Sequence, residues 1–125
     1  MSMNAMELVA EAKSQITEIE PAAAVTAMKT ALLLDVRESA EFEAGRLPGA
    51  INIPRGVLEF RIGDHPLLSR RDTDILVYCK TSGRAALAAL NLKRMGYTNV
   101  RSIHGGFDAW SQQGLPLETE TTQFG

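Results

Sequence analysis

Asp74-Ile75-Leu76-Val77-Tyr78-Cys79-Lys80-Thr81-Ser82-Gly83-Arg84 is the stretch on which the fold turns. After Asp74 the apolar character is continuous, not alternating, which marks a strand buried on both faces, as in a parallel sheet. A short loop with a glycine follows. Residues 84–95 then place Ala85, Ala88, Ala89, Leu92 and Met95 on one helical face, widened by Leu87 and Leu90. Gly96 is a suitable stop. Working outward, residues 31–36 form a second continuous apolar run, closed by Asp35-Val36-Arg37. Residues 51–53 read as a short strand ended by Pro54, and 99–103 as a last strand. Residues 16–19 alternate as a half-buried strand does. Helices are expected over 6–14, 22–29 after Pro21, 40–44 with Ser39 as cap, and 107–112, with a helical turn or two over 57–62. Strands alternating with helices imply an α/β fold with a central, mainly parallel sheet flanked by helices. In such sheets ligands bind beyond the carboxyl ends of the strands. Asp35-Val36-Arg37 and Cys79 both fall at ends of that kind.

Composition narrows the class. A chain of 125 residues holds one ordinary core, and 45% hydrophobic with 22% charged residues is globular usage. A formal net charge of −2 without a basic block argues against a nucleic-acid partner. The apolar runs are strand-sized, so no membrane association is expected. The first residues show neither a basic lead nor an apolar signal core. A single cysteine cannot form an internal disulfide, and with two histidines it is too little for a closed structural zinc site. The expectation is a cytoplasmic domain with no metal and no cofactor. The ends, 1–6 and 118–125, read as loose.

The loop after Cys79 carries the chemistry. None of Lys80, Thr81, Ser82, Gly83 and Arg84 is proline, so each keeps its N–H. A tight loop running into a helix N-terminus can turn several of these inward as an anion-binding nest. Lys80 and Arg84 add two full charges. Such surroundings favour a nucleophilic thiolate at Cys79. His65 and His104 both read as loop residues, and nothing pairs either with the cysteine.

These segments resemble the rhodanese homology domain. Leu34-Asp35-Val36-Arg37-Glu38, then Glu41-Phe42, Gly45 and Leu47-Pro48-Gly49-Ala50-Ile51-Asn52-Ile53-Pro54, are similar to its N-terminal signature. Tyr78-Cys79 through Arg84-Ala85 resembles its active-site loop, and Gly105-Gly106-Phe107 with Trp110 its C-terminal signature. Arg46 and Ser82 depart from it, standing where histidine and glycine are frequent, which bears on substrate preference. The resemblance implies a domain over 16–117, with a helical extension over 1–15 and a tail over 118–125. It also implies sulfur transfer from thiosulfate or a similar small donor to a thiol or protein acceptor, through a persulfide on Cys79. Lys80, Thr81, Ser82, Gly83 and Arg84 would be the anion cradle, with Asp35 and Arg37 bracing the segments beneath it. Two other readings stay open. A cysteine phosphatase or arsenate reductase also sets a cysteine before an arginine-ended loop, although its loop is one residue longer than the six from Cys79 to Arg84. A docking module would use the fold without the chemistry.

Overall fold

The computed structural model describes residues 2–119. Five strands, β1 (Thr17–Ile19), β2 (Leu32–Asp35), β3 (Ile51–Asn52), β4 (Asp74–Tyr78) and β5 (Asn99–Ile103), form one sheet in the order β1-β5-β4-β2-β3. All four pairings are parallel. The helices are α1 (Ala5–Lys13), α2 (Pro21–Ala27), α3 (Ser39–Ala44), α4 (Leu58–Arg61), α5 (Gly83–Arg94) and α6 (Gly106–Gln112). None of them is long and apolar enough to cross a membrane.

The continuous apolar runs are the central strands, and the reason is visible in their packing. Side chains alternate across a strand, so both faces of β4 need apolar cover. Ile75, Val77 and then Cys79 enter one core with Ala85, Ala88, Ala89 and Leu92 of α5. Leu76 and Tyr78 enter the other, with Leu47, Ile103 and Trp110. The parity of the strand therefore aims Cys79 at α5. Register sets its neighbours: Tyr78 pairs with Asp35, and Asp35 with Asn52, so three strand ends finish side by side.

Several local expectations need correction. α3 takes Glu38 as its N-cap rather than Ser39, because Glu41 Oε1 accepts the Glu38 N–H at 2.9 Å. The helical turn expected over residues 57–62 is present as a single α-turn, α4, between two 3-10 turns. The N-terminus is ordered from Asn4, which exchanges hydrogen bonds with Glu7 in a capping box. The segment read as a tail begins with structure, since Arg46 and Glu118 exchange backbone hydrogen bonds at 2.8 Å each way. The rest of that tail, 120–125, lies outside the described residues.

Candidate active site

Cys79 sits at the carboxyl end of β4 and is 1% exposed. Its Sγ accepts the N–H of Ala85, in the first turn of α5, at 3.3 Å. The loop between them is held from below by α6. Phe107 N–H donates to the Cys79 carbonyl at 2.8 Å, and Asp108 N–H to the Lys80 carbonyl at 3.0 Å. In a trans peptide the N–H points opposite to the carbonyl. The carbonyls of Cys79 and Lys80 face α6, so the N–H groups of Lys80 and Thr81 face away from it. Among the described residues, nothing in the protein accepts the N–H of Lys80, Thr81, Ser82, Gly83 or Arg84. This is a row of donors without acceptors at the head of a helix, the arrangement that suits a bound anion.

Gly106 permits the approach. Its φ is +56°, and a Cβ there would fall on the carbonyl oxygens of Thr81 and Cys79. Only glycine tolerates both conditions.

Each of the two loop cations is met by a carboxylate. Lys80 Nζ meets Asp108 Oδ1 and Oδ2 at 3.0 and 2.9 Å. Arg84 meets Glu41 Oε1 and Oε2 at 2.8 and 3.1 Å. The cause is the docking of two helices whose first turns carry those acids, an arrangement their dipoles favour. Hydrogen bonds from Arg84 pull Glu41 down to about 2, against partial burial and with help from the Glu38 N–H. The same bonds raise Arg84, against a smaller burial penalty. A cleft of about 260 Å³ opens beside these pairs, lined by Arg37, Glu41, Ala44, Gly45, Lys80, Phe107 and Asp108.

Asp35 and Arg37 are 0% and 4% exposed, so theirs is no surface ion pair. Arg37 Nη2 reaches Asp35 Oδ2 at 2.8 Å and the Gly45 carbonyl at 2.6 Å. Its guanidinium stacks over the Phe107 ring at 4.4 Å. Burial works against the Arg37 charge, but the Asp35 hydrogen bonds and charge outweigh it and raise the arginine. Burial, followed by the Asp35 charge, pushes the Tyr78 hydroxyl up, and that hydroxyl accepts the Leu47 N–H at 3.1 Å. Asn52 Nδ2 donates to the carbonyls of Asp35 and Arg37 at 3.0 Å each.

Sequence reasoning did not foresee Lys13, whose ammonium donates to Ser82 Oγ at 2.7 Å, nor the carboxylate partners Glu41 and Asp108. Neither histidine contacts Cys79. His104 Nδ1 faces Glu20 at 3.0 Å, and His65 Nδ1 accepts the Leu67 N–H.

The profile of the rhodanese-like domain matches residues 19–113. This chain belongs to the rhodanese-like family. A sulfurtransferase of Allochromatium vinosum is 34% identical over 86 residues, spanning 69% of this chain and 77% of its own. The thiosulfate sulfurtransferase GlpE of Actinobacillus succinogenes is 36% identical over 109 residues, 82% of this chain and 91% of the relative. Among solved structures, a protein of unknown function from Rhodopseudomonas palustris CGA009, a possible tyrosine phosphatase, superposes with a TM-score of 0.86. It is 32% identical, with 94% of this chain and 96% of that one covered. Rhodanese-family relatives that are sulfurtransferases support a role in sulfur transfer for this chain.

Proposed function

We propose that the protein moves sulfane sulfur from thiosulfate, or a similar small donor, to a thiophilic acceptor through a persulfide on Cys79. In the first half-reaction the Cys79 thiolate attacks the outer sulfur of the donor. A new S–S bond forms as the old one breaks, and sulfite leaves with the bonding pair. A stable leaving anion favours sulfur exchange as it does thiol–disulfide exchange. In the second, a thiol of a small molecule or an acceptor protein attacks the terminal sulfur and restores the Cys79 thiolate. Lys80, Thr81, Ser82, Gly83 and Arg84 supply the cradle for the anions of both steps, and Asp35 and Arg37 brace it.

The observation that carries this reading is the run of loop N–H groups without acceptors next to a cysteine sulfur that already accepts one from Ala85. Preorganised donors stabilise charge developing on the persulfide and on the departing sulfite without having to reorient. The Lys80 and Arg84 charges, offset by carboxylates, add less than the backbone does.

The test is intact mass. Freshly reduced protein incubated with thiosulfate gains the mass of one sulfur atom, and cyanide removes it. Cys79→Ser gains nothing. Because Cys79 is the sole cysteine, the adduct identifies its own site. An unchanged wild-type mass with several sulfane donors defeats the proposal. The superposition on a possible tyrosine phosphatase gives the second reading its one support. Hydrolysis of an aryl phosphate without a sulfur adduct would favour it, and neither activity would favour the docking module.

A further inference from the structure

Ser82 is the N-cap residue of α5, yet its side chain accepts no hydrogen bond from the first turn of that helix. A serine at this position ordinarily turns its oxygen onto the N–H of the second or third helical residue. Here those residues are Arg84 and Ala85. The Ser82 oxygen instead takes the Lys13 ammonium at 2.7 Å. Lys13 ends α1, which lies outside the span matched by the family profile, residues 19–113. The helix is fixed against the start of α5: Ala12 is fully buried with Ala86 and Leu90, and Val9 Cγ2 lies 3.5 Å from where a Cβ of Gly83 would stand. Lys13 is 30% exposed at its side chain, and Glu18 Oε2 lies 3.7 Å from its ammonium.

We propose that Lys13 is a positioning residue that holds the Ser82 side chain off the head of α5, so that the Arg84 and Ala85 N–H groups stay available to the Cys79 sulfur and to the donor anion. This rests on the function proposed above. The consequence is a competition. Without the ammonium the Ser82 side chain is untied, and a turn of its backbone from ψ −7° into the extended region usual for an N-cap would bring its oxygen into competition for the N–H that Cys79 Sγ now receives. The residue that departs from the family pattern and the helix that lies outside it are thus one device.

The experiment uses suppression. Lys13→Met keeps the stem and helix propensity but removes the donor. We expect it to lower kcat/KM for thiosulfate about tenfold, the order of one capping hydrogen bond, and to slow iodoacetamide alkylation of Cys79 at neutral pH in parallel. Adding Ser82→Ala removes the competing oxygen, so Lys13→Met/Ser82→Ala should recover most of both rates. Lys13→Arg, which can still donate, should fall less than Lys13→Met. A merely structural role for α1 predicts that the two substitutions do harm together, and a double variant no faster than Lys13→Met overturns the proposal. So does Lys13→Met with both rates unchanged. Alkylation needs no sulfur donor, so it tests the competition even if the wild-type protein forms no persulfide. Circular dichroism and the unfolding midpoint of each variant confirm that the folded protein is being compared.

Discussion

Gly106 lies against the loop that follows Cys79. Two conditions meet there, a φ of +56° and the approach of the Thr81 and Cys79 carbonyls. The first is a local conformational cost of about 1–3 kcal/mol for any other residue. The second is positional, because a methyl group would push the loop off α6 and re-aim its N–H groups. Gly114 separates the two effects. Its φ is +71°, but a Cβ there would meet nothing within 4 Å. Gly106→Ala should lower both the unfolding midpoint and the rate of persulfide formation, the latter by more than tenfold. Gly114→Ala should lower the midpoint while leaving persulfide formation near the wild-type rate. Equal losses of loading in the two variants would show that the close approach to the loop does not matter.

At the scale of elements, the sequence announced what depends on local pattern and concealed what depends on docking. β4 and β5 are legible residue for residue, and α5 within one residue at each end, because burial on two faces and a helical stripe leave continuous signatures. Cys79 and its loop are legible for the same reason: strand parity and the following helix are local facts. The helical turns around residues 57–62 were legible but not their kind, because 3-10 and α turns share their sequence preferences. The long-range polar contacts were hidden for a different reason. Arg84 and Glu41 are 43 positions apart, and Lys13 and Ser82 are 69 apart, so only the assembled helices bring them together. The α3–α5 pair has a pH signature. Glu41 is held at about 2, below its usual 4.5, so its contribution to stability is present above 4.5 and fades as pH falls toward 2. Urea unfolding of wild type and Glu41→Gln at pH 7, 4 and 2.5 should show an advantage for wild type that shrinks with falling pH. The advantage is small and salt-sensitive, since both side chains are about one-third exposed. A pH-independent difference would mean that the pair does not hold α3 to α5.

For the whole molecule the decisive feature is the buried pair of Asp35 and Arg37. Asp35 ends β2, beside Asn52 of β3 and Tyr78 of β4. Arg37 reaches back to the Gly45 carbonyl after α3 and lies over Phe107 of α6. Three strands and two helices therefore converge on one ion pair, and α6 is the helix that holds the loop after Cys79. Burying a charge is costly, and a pair compensates only while both members are present. Arg37→Met would strand the Asp35 carboxylate, which now accepts the Arg37 backbone N–H at 2.8 Å and the guanidinium at 2.8–3.1 Å. The expected cost is about 3–5 kcal/mol, a large share of the roughly 5–15 kcal/mol that holds a domain together. Asp35→Asn combined with Arg37→Met removes both charges, so it should cost clearly less than the sum of the two single variants. Denaturant midpoints for the four proteins decide the matter. If the effects simply add, the two residues contribute separately, and the convergence of elements on them is packing without electrostatic coupling. If the double variant recovers stability but not persulfide formation, the pair's second task is confirmed: keeping α6 in register beneath the loop.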